Sequence, residues 1–207
     1  MLRTPVEASD HLRHREILLT EEAVELLDGL LLGDGSLESP THSESRFALG
    51  QRVGREGWVH DVARRLGNNG IPSVVSNRGE RGWELRTPKY RTLTRERLRW
   101  YPSGVKAVPV DVRLTPLSIS QWYWGDGLVE NNGYRMGFCT DSFAQEQVQF
   151  LASQLRFQYG LESVVRPHQG GFRIYISQRA SRVGLVRLLE TFCPQCFQYK
   201  LNVRGII

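Results

Sequence analysis

Two aspartates occupy the same unusual place in this chain. Residues 25–38 read ELLDGLLLGDGSLE, an apolar run ending in Gly-Asp-Gly around Asp34, and residues 118–133 read SISQWYWGDGLVENNG, ending the same way around Asp126. Leu27, Leu30 and Leu31 have helical spacing, so each aspartate is expected at a helix C-terminus. The macrodipole is already negative there, and an acid is unfavourable by about 0.3–1 kcal/mol. Side-by-side helix ends would add repulsion between the carboxylates, and the last-turn carbonyls of Gly33 and Gly125 would add more negative potential. Oxygens gathered in this way suit a hard divalent cation such as Mg²⁺, or Mn²⁺ in its place. Two acids beside a basic surface point to metal-assisted phosphodiester hydrolysis. A lone Asp-Gly is far more often a turn, but two copies ending matched helices favour a site.

The elements that must position these acids repeat. GIPSVV (70–75) returns as GLESVV (160–165), WELRT (83–87) as FRIYI (172–176), and YPSGVK ending at Lys106 as CPQCFQYK ending at Lys200, all at nearly the spacing that separates Asp34 from Asp126. Landmarks held in one register imply a tandem duplication. The expected organisation is a tail over 1–19, a first half over 20–110 and a second over 111–207, joined by VPVDVRLTP (108–116). Thr20 with Glu21 and Glu22 starts one helix. Thr115 with Pro116 starts its counterpart. Two strands follow, the clearer near 45–52 and 134–140. A helix over 56–68 or 143–158 ends at Gly67 or Gly160. Strands at 73–77 and 83–87, then 163–167 and 172–177, precede closing helices at 91–99 and 179–192. The class is α+β, an αββαββα unit used twice.

Gly29 and Gly33 lie four apart on the first motif helix, and two glycines on one face cost helix stability, about 1 kcal/mol each. They imply a face against which another backbone packs closely. Ser120 and Gly125 are the small residues of the second helix, so the two helices are expected to pair along a pseudo-twofold axis.

Composition sets the frame. The chain has 207 residues, 40% hydrophobic and 24% charged, ordinary values for a soluble globular protein. No apolar stretch approaches a membrane span, and the N-terminus lacks a secretory core, so an intracellular protein is expected. The net charge is +5, and 24 of the 27 basic residues are arginine. Arginine suits phosphates and guanine edges, although a GC-rich genome also enriches it. Three cysteines exclude a disulfide framework. The CxxC at Cys193 and Cys196 lacks the second pair that a zinc ribbon needs. His11, His14 and His168 lack metal-ligand spacing.

The repeated segments LDGLLLGDG (27–35) and ISQWYWGDG (119–127) resemble the LAGLIDADG motif of homing endonucleases, specifically the single-chain type with two motifs. The likeness extends to the junction WYPSGVKAVPVDVRLTP (100–116), to FCTDSFAQEQVQFLASQL (138–155) and to FQYKL (197–201), covering nearly the whole chain from residue 20. The resemblance implies two pseudo-symmetric halves with the motif helices at the central interface and two antiparallel sheets forming a DNA-binding saddle. It implies a monomer that cuts both strands of a long asymmetric DNA site across the minor groove and leaves 3′ overhangs. Such a product is encoded in an intron or intein of a bacterial, phage or organellar genome. Asp34 and Asp126 would then hold the metal, with the carbonyls of Gly33 and Gly125. An intron RNA maturase, and a DNA-binding protein that does not cut, are the alternatives on this scaffold.

Other positions follow from the same likeness. Lys106 and Lys200 fall at equivalent places, where basic residues of the family assist at the active site by stabilising phosphate charge or polarising water. Gln51 resembles a position that organises water near the metals, with Thr140 or Asp141 as its counterpart. Strand alternation turns Arg46, Arg86, Arg135, Arg166, Arg173 and Tyr175 toward the DNA, with Glu84 the counterpart of Arg173. Two departures stand out. Asp28 replaces the usual small residue and is awkward in a tight interface, so it must face outward or pair with a basic neighbour. Gln121 replaces a glycine and implies a looser contact.

Overall fold

The computed structural model describes residues 16–39, 44–131 and 134–202. The first half runs α1 (Glu21–Leu32), β1 (Gly35–Glu38), β2 (Arg46–Gln51), α2 (Glu56–Asn68), β3 (Val74–Asn77), β4 (Trp83–Arg86) and α3 (Arg91–Trp100). The second repeats it as α4 (Pro116–Asp126), β5 (Gly127–Glu130), β6 (Arg135–Cys139), α5 (Gln145–Tyr159), β7 (Ser163–His168), β8 (Gly171–Ile176) and α6 (Arg179–Glu190), closed by a 3₁₀ segment, Gln195–Leu201. Each half contains a four-stranded antiparallel sheet, in the orders β1-β2-β4-β3 and β5-β6-β8-β7. The α+β duplication expected from the sequence is the observed fold.

The local chemistry explains the starts. Thr20 Oγ1 accepts from the Ala23 amide at 3.1 Å. Thr115 caps α4 in a reciprocal box with Ser118, and Pro116 takes the first helical position. The ends are less regular. Gly160 ends α5 in the left-handed conformation, φ 63°. Gly67, by contrast, stays inside α2, which runs on to Asn68, and the left-handed turn falls at Gly70, φ 75°. Asn69 makes the delay possible, because its side chain bonds Arg65 O and Thr20 Oγ1 and so satisfies the frayed end.

Helices cover one face of each sheet, α2 and α3 on the first and α4 and α5 on the second. Phe47, Leu49 and Leu85 point into the core from one sheet, and Met136, Phe138 and Ile174 from the other. Burying an aromatic or Leu side chain stabilises by roughly 1.5–3 kcal/mol. The two cores are continuous, since Trp58 of α2 meets Phe197 edge-on at 5.3 Å and Trp124 of α4 stacks on the same ring at 5.6 Å.

Helices α1 and α4 form the central contact. A Cβ on Gly29 would lie 2.2 Å from the carbonyl oxygen of Ser118. The close approach expected of that glycine is therefore real, but its partner is Ser118. Ser120 turns away and donates to Pro116 O at 2.6 Å, near Leu188 of α6. Gln121 is 1% exposed, and its Oε1 accepts from Trp58 Nε1 at 3.0 Å, so this position bridges the halves by a hydrogen bond. Asp28 is fully buried and pairs with Arg99 of α3 at 2.5 Å. Its oxygens also accept from the Trp100 indole at 3.3 Å and the Arg113 amide at 2.9 Å. Of the expected tail, residues 1–15 lie outside the described residues, His11 and His14 with them. Ile17 is pinned to Thr92 through both its backbone groups.

Candidate active site

The chemistry collects where α1 and α4 end together. A Cβ on Gly33 would sit 3.5 Å from Gly125 Cα, and one on Gly125 would sit 3.1 Å from the Asp34 amide and 3.3 Å from its Oδ2. With no side chain at either crossing point, the two aspartates that follow are brought side by side.

They differ in environment. Asp34 is exposed, and Gln51 at the end of β2 donates to its Oδ2 at 2.6 Å. Asp126 is half-buried as the last residue of α4, and no hydrogen bond reaches its carboxylate from the described residues. Burial, then the charge of Asp34, pushes its carboxyl up to about 7, against the pull of Lys106 and Lys200. The counterpart of Gln51 follows from register: Gly35 faces Leu49 and Gly127 faces Phe138, which makes Thr140 equivalent to Gln51. Thr140 Oγ1 instead donates to Phe172 O at 2.5 Å. Asp141 pairs with Arg173 at 2.9 Å and faces His168 at 3.3 Å.

Both lysines reach the helix ends. Lys106 Nζ donates to the carbonyls of Gly33 at 3.0 Å and Gly35 at 2.8 Å. Lys200 Nζ donates to those of Tyr123 at 3.0 Å and Trp124 at 3.1 Å. A cation at a helix C-terminus offsets the macrodipole that makes the acids unfavourable. Burial is the largest influence on each lysine and brings both down to about 8, although the two aspartates favour the charged form. For Lys200, Arg55 adds to the depression.

Arg55 was not legible in the sequence. Its guanidinium lies 4.3 Å from the Phe197 ring and 5.0 Å from the Tyr199 ring, and it bonds Tyr199 Oη at 2.8 Å and Cys196 O. A pocket joins Asp34, Gln51, Arg52, Arg55, Gly125 and Lys200. The family likeness of FQYKL (197–201) was the available signal, but it named no partner for those aromatic rings.

The donor set fits a divalent cation bound partly by substrate. Among the described residues no three of His, Cys, Asp and Glu converge. Two carboxylates do, and Asp126, half-buried, has no hydrogen-bond donor among the described residues. Mg²⁺ is commonly held by one or two carboxylates, with waters and phosphate oxygens completing the shell. Cys139, Cys193 and Cys196 are free, half-buried thiols.

The strand residues separate by half. Arg46 and Arg86 lie on the uncovered face of the first sheet in ion pairs with Glu38 and Glu84. On the second sheet Arg135, Arg166 and Tyr175 line one cleft with Tyr134 and Arg182, while Arg173 is held by Asp141. Glu84 faces Gly50 across the ladder and Arg173 faces Cys139, which places them at equivalent positions.

Comparison with known proteins agrees with the geometry. The pattern of the LAGLIDADG DNA endonuclease family matches residues 24–183. The chain is 25% identical to the DNA endonuclease I-ChuI of Chlamydomonas applanata over 89% of its length and 96% of that protein. It is 25% identical to the cytochrome b mRNA maturase bI2 of Debaryomyces hansenii over 98% of its length and 81% of that protein. Among solved structures, the homing endonuclease I-WcaI bound to its DNA recognition sequence superposes with a TM-score of 0.77 at 17% identity, covering 90% of this chain and 88% of that one. I-DmoI in complex with DNA and Mn gives 0.55 at 16% identity, covering 83% and 98%.

Proposed function

The chain belongs to the LAGLIDADG DNA endonuclease family, and from that premise we propose that it is a monomeric homing endonuclease that hydrolyses both strands of a long asymmetric DNA site. The carrying observation is the pair Asp34 and Asp126, set side by side at the Gly33–Gly125 crossing with a lysine on each helix end. Asp34, Asp126 and the carbonyl of Gly125 would hold the divalent metal, Mg²⁺ or Mn²⁺, as the Mn-containing complex of I-DmoI also supports. When bound, the metal supplies Lewis acidity to a scissile phosphate and lowers the pKa of coordinated water. The carbonyl of Gly33 already accepts from Lys106, which leaves it one lone pair.

The remaining roles belong to the chain itself. Gln51 orients the Asp34 carboxylate. Lys106 and Lys200 place positive charge beside the phosphates, where it stabilises the charge that develops in the transition state. The uncovered faces of the two sheets form the DNA saddle, with Arg46, Arg86, Arg135, Arg166, Arg173 and Tyr175 facing the duplex. The cut falls across the minor groove and leaves 3′ overhangs.

The test is cleavage of a plasmid library carrying randomised long sites, with Mg²⁺, by wild type, Asp34→Asn and Asp126→Asn. Cutting by wild type that each variant loses while still binding supports the proposal. Binding by wild type without cutting defeats it. The likeness to the maturase over nearly the whole chain supports one second reading, an intron RNA maturase on the same scaffold. That reading requires Asp126→Asn to retain splicing stimulation.

A further inference from the structure

The uncovered face of the first sheet carries a chain of ion pairs that, among the described residues, is not repeated at the equivalent positions of the second, where Asp141 holds Arg173 instead. Arg46 Nε donates to Glu38 Oε2 at 2.7 Å, and Glu38 Oε1 lies 3.7 Å from Arg86. Arg86 Nη2 is 2.7 Å from Glu84 Oε1, and the other Glu84 oxygen accepts from Arg78 Nε at 2.9 Å. Five side chains from three strands and one turn thus alternate in sign across the sheet. At the position equivalent to Glu84 the second sheet has Arg173. Glu130 lies across the ladder from Arg135 as Glu38 does from Arg46, yet among the described residues neither Arg135 nor Arg166 makes an ion pair.

Building on the endonuclease reading, we propose that Glu84 is a specificity-determining residue that keeps the first half of the saddle off phosphates and commits it to base edges. An arginine paired to a carboxylate gives up that pair when it moves to a phosphate, so its net gain there is small. The carboxylate itself repels phosphate. In the major groove the same row is complementary to base edges: Glu84 and Glu38 accept from the exocyclic amino groups of cytosine or adenine, and the arginines donate to guanine. Glu84 is held from both sides by Arg78 and Arg86, so its acceptors are pre-set before DNA arrives. Arg135 and Arg166 of the second sheet carry charge that no carboxylate holds, and they supply the sequence-independent attraction.

The experiment compares wild type, Glu84→Gln and Arg166→Ala on unselected duplex across a salt series, and on a duplex pool randomised over the target length, with bound fractions sequenced. Glu84→Gln preserves shape on a solvent-accessible face, and a matching thermal melt establishes that it folds. The expected result is several-fold tighter binding of unselected duplex by Glu84→Gln. Its log–log salt slope should be steeper by about 1, and it should lose a preference for cytosine or adenine at one position of one half-site. Arg166→Ala should lower the slope by about 1 without altering that preference. If wild type selects a site and Glu84→Gln selects the same site with the same slope, the role of Glu84 is overturned while the endonuclease reading stands. If wild type binds no duplex, both fall.

Discussion

The Asp28 carboxylate, fully buried, is gripped by the Arg99 guanidinium at 2.5 and 3.1 Å. It ties α1 to α3, and through the Arg113 amide to the linker that leads into α4. Removing one partner strands a buried charge, which typically costs 3–5 kcal/mol. Arg99→Met, which leaves the Asp28 carboxylate buried without its cation, should therefore lower stability by about that much in urea titration. The double variant Asp28→Leu, Arg99→Met should recover a substantial part. Equal loss in single and double variants would show that packing, not the charge pair, holds this junction.

Gly29 gives a sharper steric prediction. A Cβ there would stand 2.2 Å from a backbone oxygen of Ser118, an atom that cannot swing aside. Gly29→Ala should force the motif helices apart at a cost of about 1–3 kcal/mol and separate Asp34 from Asp126. On the proposed reading, in which the aspartates act at that seam and the sheets hold the duplex, cleavage should fall more than binding. A thermal melt and a cleavage assay on the same preparation check it. An unchanged melting temperature would contradict the close approach.

Much of this architecture was legible in the sequence, and the misses have physical causes. The duplicated register gave the αββαββα element order and placed both aspartates, since apolar helices and Gly-Asp-Gly ends are local signals. The Thr20 and Thr115 caps were legible for the same reason. Ser118 rather than Ser120 opposite Gly29 was not, because the helical phase at an interface depends on the partner's crossing angle. Asp28 read as awkward from its motif position, and one of the two outcomes expected for it was a basic partner. Which base lay 71 residues along the chain, at Arg99, was beyond a local signal. Arg55 joins a guanidinium to two rings from the far end of the chain, a contact that neither segment announces. The metal-binding roles of Asp34 and Asp126 rest on proximity, and cleavage will decide them.

The Asp126 carboxyl, raised to about 7 from a reference of 3.8, makes a signed prediction. Between about pH 4 and 7 the folded chain holds a proton that the unfolded chain has lost. The contribution of Asp126 to metal-free stability must then fall as pH rises through that window and level off above 7. Asp126→Asn removes the cost. It should stabilise the protein by about 2–4 kcal/mol at pH 8 and have almost no effect at pH 4. Denaturant titrations at both values, with chelator, read the difference. A destabilised Asp126→Asn at pH 8 would mean that its ionised form is satisfied in the fold.

The two lysines are expected to fail differently from the acids. Each ammonium sits on carbonyls at the end of a motif helix, and burial brings each down to about 8. The charged lysine is thus present at neutral pH and is lost as pH rises past about 8. Lys200→Met deletes a charge that lies beside Asp126 and the ammonium donor to the carbonyls of Tyr123 and Trp124. If that charge stabilises the transition state, turnover should drop about 10²- to 10³-fold, the scale of one lost preorganised donor. On the proposal that Arg135 and Arg166 supply the phosphate attraction, DNA affinity should change little. The activity of wild type should decline above about pH 8 with a limb that Lys106→Met, Lys200→Met removes. A variant that loses binding and turnover in proportion would instead make Lys200 a DNA anchor, and an alkaline limb that survives in the double variant would assign it to another group.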